Sequence, residues 1–136
     1  MPCIFCQIVA GEAPCFRIHE DDLTLTFLDL FPVSRGHTLI IPKAHCQDLF
    51  EIEPGALGAV AQRSLSIAAA IRSALAPDGI SVFQLNGAAA GQTVFHYHMH
   101  LIPRMQGDAL EIHSRVRGEE EDLRQVAAML TEALRD

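Results

Sequence analysis

The chain of 136 residues is long enough for one domain with a substantial core, and 49% of its residues are hydrophobic. It has 10 Lys and Arg residues against 17 Asp and Glu residues, and the resulting net charge of −7 argues against a general nucleic-acid-binding protein. No apolar run approaches the roughly 20 residues of a membrane-spanning helix. The N-terminus lacks the basic start and apolar core of a signal peptide, so we expect a cytoplasmic protein.

The first half of the chain predicts a short helix followed by strands. Apolar residues 3–10 indicate a short helix or turn, which Gly11 ends. Residues 23–30 alternate between faces, so that Phe27 and Asp29 share one side of a strand. The strands predicted in this half span residues 16–20, 23–30 and 37–42.

The second half predicts a long helix, two strands and a final helix. Pro54 stands near the first turn of the long helix, where proline is well tolerated. The acidic residues 119–122 open the last helix, where they complement its dipole. Further strands are predicted at 80–86 and across the three histidines His96, His98 and His100, with a small-residue loop at 87–91 and an aperiodic loop at 105–118. This order indicates an α+β domain with a mainly antiparallel sheet over residues 1–136, of which 1–104 form the core and 105–136 a C-terminal loop and helix.

Three histidines at alternate positions carry the clearest functional signal. His96, His98 and His100 would share one face of a strand, with the apolar residues between them on the other face. Histidine is neither a strong strand former nor an inexpensive core residue, so three in register need a reason. The pattern therefore indicates a functional strand rather than an ordinary solvated face.

This stretch resembles the histidine-triad (HIT) family of nucleotide hydrolases and transferases. The family is recognised by His-x-His-x-His followed by apolar residues, and the motif here reads His96-Tyr97-His98-Met99-His100-Leu101-Ile102. The resemblance covers approximately residues 3–104. It implies a five-stranded, mainly antiparallel sheet with one long central helix and a homodimer, which light scattering would test. It also implies an enzyme that attacks the α-phosphate of a purine nucleotide conjugate.

The resemblance assigns roles to residues in and near the motif. Imidazole can attack phosphorus and form a covalent intermediate that water then hydrolyses. The nucleophile of the family matches His98, and His100 matches a phosphate contact. Gly91 precedes the strand, where glycine lets the backbone approach an anion closely. The predicted catalytic residues are His37, Gln92, His98 and His100, and Gly91, Gln92 and Thr93 are predicted to hold the phosphate and the leaving group.

The nucleoside is expected beside the earlier strands. Phe27 and Asp29 place an apolar wall next to a carboxylate, which suits a base beside a ribose diol. The resemblance puts a ribose-binding aspartate at Asp29. Taken singly, the apolar residues also fit an ordinary core. The predicted nucleoside-binding residues are Phe5, Ile8, Phe27, Asp29, Leu39 and Asn86.

A zinc site is the second predicted constellation. Cys3 and Cys6 have the spacing of half a zinc site. Bacterial members that the chain resembles carry a structural zinc on two N-terminal cysteines and two histidines, and the matching residues are Cys3, Cys6, His45 and His96. Two buried thiols or a redox pair are the alternatives, and Cys15 and Cys46 have no predicted partner.

Two other functions are compatible with the motif. One is a non-catalytic nucleotide-binding module. The other is a hydrolase with a catalytic zinc on His96, His98 and His100, although positions i and i+4 of a strand lie about 13 Å apart. Within the leading hypothesis, the P–N bond of a phosphoramidate and the phosphoanhydride of a dinucleoside polyphosphate are both candidate targets.

Overall fold

The computed structural model describes residues 2–135, and its elements follow the predicted order. The α+β class is confirmed, as are the five-stranded antiparallel sheet, the long central helix and the C-terminal helix. Within these residues, no helix combines the length and apolar character needed to cross a bilayer. The elements are α1 (Ile4–Val9), β1 (Arg17–Glu20), β2 (Thr24–Leu28), β3 (Thr38–Pro42), α2 (Pro54–Leu75), β4 (Gly79–Gln84), β5 (Met99–Arg104) and α3 (Glu120–Leu134).

The order of the strands in the sheet is β1-β2-β3-β5-β4, and all neighbouring pairs are antiparallel. His100 is paired with Leu39 of β3 on one side and with Phe83 of β4 on the other. The last histidine of the motif therefore lies inside the sheet, between two strands that fix its position.

Both faces of the sheet are covered, which explains why every residue of β2 and β3 is buried. Leu28 and Ile40 belong to the core formed with α2 and α3, whereas Phe27 and Leu39 belong to a second core formed with α1. Adjacent residues thus serve opposite faces, as the strand period requires. The larger core includes Val60, Ile67 and Ile71 of α2 and Leu123, Val126 and Leu130 of α3.

The long helix begins and ends for local reasons. Pro54 occupies its first turn, where a missing N–H removes no helical hydrogen bond. Ala76 ends it in the left-handed conformation, with φ 48°, one residue before Pro77, which cannot continue a helix. The end of α2 packs against Gly36, which has φ +95°, and a Cβ at this position would overlap the Leu75 side chain. Glycine here therefore lets the turn before β3 pass close to α2.

The prediction that all three histidines lie in one strand is wrong, because β5 begins after His98 and His96 lies in a bend. The backbone N–H of Tyr97 donates to the Cys46 carbonyl at 2.8 Å, and His96 Nε2–H donates to the Pro42 carbonyl at 2.8 Å. Both bonds engage groups that would otherwise extend the pairing with β3. Two other strands also end earlier than predicted, so that Asp29 and Asn86 lie in the loops that follow them.

Candidate active site

A cavity of about 470 Å³ opens on the face of the sheet that carries α1. Its wall combines an apolar part with polar side chains from the loops after β2 and before β5. It brings together most of the residues that the sequence predicted. Of these, the lining includes Phe5, Ile8, Phe27, Asp29, His37, Leu39, Thr93, His98 and His100.

His98 is held in a single tautomer by the backbone. Its Nδ1 lies 2.7 Å from the carbonyl oxygen of His96. A carbonyl oxygen only accepts, so Nδ1 carries the proton and Nε2 has a free lone pair in the neutral ring. Burial lowers the pKa of His98; the bond to His96 raises it, and His113 lowers it further. The net effect favours the neutral ring, whose Nε2 is an unprotonated nucleophile.

His37 and His100 form a hydrogen-bonded pair whose proton positions follow from the backbone. The N–H of Val33 donates to His37 Nδ1 at 3.0 Å, so the proton of the neutral His37 ring is on Nε2. That N–H donates to His100 Nδ1 at 2.9 Å, which places the proton of His100 on its own Nε2. His100 Nε2 is buried and has no hydrogen-bond partner among the described residues.

An unpaired buried donor costs about 1–3 kcal/mol, so this position is suited to a bound acceptor. A phosphoryl oxygen would satisfy His100 Nε2–H, because His100 lines the cavity next to His98, with 4.8 Å between the ring centroids. The Phe83 ring stacks on His100 at 4.7 Å and holds its plane. The site therefore presents a lone pair on one histidine and an N–H on the next.

The pKa values of the pair lie far below the usual range for histidine. Burial lowers the pKa of His37 to about 3, with smaller contributions from Arg104, His98 and His113. Burial likewise lowers the pKa of His100 to about 2, assisted by His98, His37 and His113. Both rings are therefore neutral at physiological pH, as their hydrogen bond to one another requires.

Asp29 follows β2 and lines the cavity beside Phe27. Its Oδ1 accepts from the N–H of Phe31 at 2.9 Å, whereas Oδ2 lies 3.6 Å from His37 Nε2, whose proton is directed to His100. Burial raises the pKa of Asp29, and the Phe31 N–H and His113 lower it. Oδ2 remains able to accept from the hydroxyls of a ligand.

Three predicted residues, Asn86, Gly91 and Gln92, are not part of the cavity lining. The Gln92 side chain is buried and bonds to three backbone groups, accepting from Gly87 N at 2.7 Å and donating to Gln47 O and Val94 O. Asn86 Oδ1 accepts from Leu49 N at 2.8 Å, and Asn86 is not part of the lining. Both side chains stabilise the loop between β4 and β5 through these backbone hydrogen bonds, and their contact with a nucleotide remains a prediction.

In the loop before β5, Thr93 lines the cavity, whereas Gly91 contacts His113. Thr93 is exposed in the cavity wall. Gly91 has φ +102°, and its carbonyl accepts from His113 Nε2 at 2.7 Å. The sequence reasoning missed residues 112–115, which also line the cavity, because the stretch has no periodicity. Its three consecutive polar residues, His113-Ser114-Arg115, were the available signal.

The four predicted zinc ligands converge on one point next to the cavity. Their ligand atoms all lie within 4.8 Å of one another. His96 Nδ1 is 3.4 Å from Cys3 Sγ and 3.2 Å from His45 Nδ1, and His45 Nδ1 is 3.3 Å from Cys6 Sγ. A tetrahedral zinc with ordinary bond lengths separates such atoms by about 3.3–3.8 Å. His96 Nε2–H donates to Pro42 O, so Nδ1 is unprotonated and suited to ligation.

The catalytic-zinc alternative does not fit this arrangement. His96 directs Nδ1 to the cysteine cluster, and His98 directs Nδ1 to a carbonyl. A further group within residues 2–135 joins Asp29, His37 and His100, but His37 Nε2 carries a proton and cannot ligate. The histidines of the motif therefore serve two separate sites.

Comparison with known proteins agrees with this arrangement. The family model described as the HIT domain matches residues 10–107. Adenylylsulfatase HINT3 of Arabidopsis thaliana is 41% identical over 133 residues, which cover 98% of this chain and 68% of the relative. Adenosine 5'-monophosphoramidase hnt1 of Schizosaccharomyces pombe is 39% identical over 104 residues, which cover 76% of this chain and 75% of the relative.

A solved structure gives the same result for the fold. The crystal structure of a zinc-bound histidine triad family protein from Mycobacterium smegmatis is 41% identical and superposes with a TM-score of 0.88. The match covers 99% of this chain and 94% of that structure. From its sequence, its fold and the geometry of its histidines, the chain belongs to the histidine-triad family.

Proposed function

We propose that the protein hydrolyses conjugates of a purine nucleoside monophosphate through a covalent intermediate on His98. The observation that carries the proposal is the free Nε2 lone pair of His98 beside the unpaired Nε2–H of His100, in one cavity. Nucleotide hydrolysis is also supported by the relatives named adenylylsulfatase and adenosine 5'-monophosphoramidase. A non-catalytic binding module would not need an unprotonated nucleophile.

The first step forms a bond between His98 Nε2 and the α-phosphorus. The bond from phosphorus to the leaving group breaks, and its electron pair goes to the leaving group. A sulfate or phosphate leaves as its anion. An amine takes a proton from water, and the hydroxide this leaves is neutralised by the proton released in the second step. The His98 ring keeps its Nδ1 proton and becomes a cation, which the His96 carbonyl stabilises. His100 Nε2–H donates to a phosphoryl oxygen as its negative charge grows.

The second step releases the nucleoside monophosphate. Water attacks phosphorus, the bond to His98 breaks, and its electron pair returns to Nε2. The proton of the attacking water passes to the solvent. His37 does not exchange protons with the substrate; it orients His100 through the 2.9 Å hydrogen bond. His37 is therefore a positioning residue, and His98 and His100 touch the reacting group.

The apolar part of the cavity is where we expect the nucleoside to bind. The Phe5 and Phe27 rings pack edge to face at 5.3 Å, and Leu39 continues this wall. A purine base would contact this surface, and the ribose hydroxyls would donate to Asp29 Oδ2. The base, ribose and phosphate positions then follow the wall from α1 to His98.

We also infer that Cys3, Cys6, His45 and His96 hold a structural zinc. Four protein ligands leave no open position, so the metal would supply folding free energy and no catalytic water. It would tie the start of α1 to the segment whose carbonyl orients His98. Its contribution to activity is thus the placement of the nucleophile.

Replacing the nucleophile tests the covalent step. We expect His98→Ala to lower kcat for adenylylsulfate and adenosine 5'-phosphoramidate by roughly 10³-fold or more, because no other group supplies the lone pair. Calorimetry should still detect AMP binding. His19→Ala is the control, since His19 lies on β1 and outside the cavity lining. A kcat of His98→Ala within tenfold of the unmodified protein would contradict the proposal.

Removing the thiolates tests the zinc site. Elemental analysis should find one zinc per chain in the unmodified protein and none after Cys3→Ser with Cys6→Ser. The loss of a few kcal/mol of metal-linked stability should lower the Tm by roughly 10 °C. Cys15→Ser, outside the cluster, should keep both the metal and the Tm. Full zinc retention in the double variant would show that the ligands are assigned wrongly.

Comparing ribose with deoxyribose tests Asp29. A charged acceptor that loses one of two hydroxyl donors loses about 1.5–3 kcal/mol, so AMP should bind roughly ten- to a hundredfold more tightly than dAMP. Asp29→Asn keeps an oxygen for the Phe31 N–H and should narrow this ratio. Titration calorimetry with both nucleotides measures it. Equal affinities in the unmodified protein would remove Asp29 from the ribose site.

A further inference from the structure

Residues 109–118, which we name the C-terminal strap, cross the cavity after β5 and carry no regular structure. Their path is nevertheless held by specific bonds. Arg104, at the end of β5, is buried and donates to the Glu111 carbonyl at 2.7 Å and to Ser81 Oγ at 3.0 Å. His113 Nε2–H donates to the Gly91 carbonyl at 2.7 Å. The strap is therefore attached to the loop that precedes the catalytic histidines.

The far end of the strap is attached to the opposite side of the cavity. The N–H of Gly118 donates to the Leu30 carbonyl at 2.8 Å, one residue beyond Asp29. Between the two attachments, Ser114 Oγ accepts from the N–H of Val116 at 3.1 Å and forms a tight turn around Arg115. Ser114 and Arg115 both line the cavity. The position of Arg115 is thus confined from both sides.

Arg115 carries the one permanent positive charge in the described cavity wall. Within the described residues, it is the one Lys or Arg in the cavity wall, and Asp29 is the one carboxylate. His37 and His100 contribute no positive charge, because burial keeps their pKa values far below neutrality. The ion pairs found in residues 2–135 do not involve Arg115. Its guanidinium is exposed and available to a ligand.

The candidate substrates differ mainly in the charge of the leaving group. Sulfate and phosphate groups carry negative charge and accept paired hydrogen bonds from a guanidinium, whereas an amine does neither. We propose that Arg115 is a specificity-determining residue that binds an anionic leaving group, sulfate or phosphate, and so favours such conjugates over phosphoramidates. This inference rests on the proposed hydrolysis at His98 and adds the class of leaving group.

The test compares two substrates and two arginines of the strap. Arg115→Gln should lower kcat/KM for adenylylsulfate by about tenfold or more, the value of a lost charge-assisted hydrogen bond, and change adenosine 5'-phosphoramidate less than twofold. Arg117→Gln removes the same charge two residues away, outside the cavity lining, and should change neither substrate. Arg115→Lys should recover part of the lost kcat/KM for adenylylsulfate. Added salt should reduce the difference in this kcat/KM between the unmodified protein and Arg115→Gln.

Binding provides a readout that does not depend on turnover. In a His98→Ala background, Arg115→Gln should weaken ADP by about tenfold and AMP by less, because the β-phosphate of ADP occupies the place of the leaving group. The inference would be overturned if Arg115→Gln left unchanged both the ratio of kcat/KM for the two substrates and the ratio of affinities for ADP and AMP. An equal effect of Arg117→Gln would also overturn it. Absence of hydrolysis in the unmodified protein would instead refute the proposed function, and the nucleotide affinities would still decide the role of Arg115.

Discussion

The hydrogen bonds that backbone groups make to imidazole nitrogens decide what each histidine of the site can do. The His96 carbonyl accepts a hydrogen bond from His98 Nδ1–H, and the Val33 N–H donates one to His37 Nδ1. Because the backbone cannot exchange its donor and acceptor roles, each ring has one tautomer. A free lone pair on His98 and a donor on His100 follow from these two contacts and the His37–His100 hydrogen bond, and they require no charged histidine.

His96 links the active site to the predicted zinc site. Its ring lies between the cysteine cluster and the Pro42 carbonyl, and its own carbonyl holds His98. The Phe5 ring contacts both His96 and His98, at centroid distances of 5.8 and 5.2 Å. A metal that fixes His96 therefore also fixes the orientation of the nucleophile, although it lies outside the cavity. In the proposed mechanism, α1 would affect the placement of His98 for the same reason.

The sequence predicted those parts of the structure that depend on local periodicity. The alternation over residues 23–30 predicted a strand, although both faces of β2 are buried, and Pro54 marked the start of the long helix. The bend at His96 was not predicted, because it depends on bonds to Pro42 and Cys46, which lie some 50 residues earlier in the chain. The site residues were found mainly through the family motif.

The C-terminal strap could not be predicted from the sequence. Residues 109–118 have no periodicity, since they are held by individual hydrogen bonds from Arg104, His113 and Gly118 and not by packing of a buried face. Nothing in their composition places Arg115 in the nucleotide cavity. The homodimer implied by the family also remains a prediction, because it concerns contacts between chains.

The backbone sets the tautomers of the histidines in the proposed active site, and ring nitrogen NMR measures these tautomers directly. Two-bond proton–nitrogen correlation spectra of the ¹⁵N-labelled protein at neutral pH identify the protonated nitrogen of each imidazole, with assignments from single His→Gln variants. We expect His98 to be protonated on Nδ1 alone and His100 on Nε2 alone. A His98 ring protonated on Nε2, or on both nitrogens, would contradict the account.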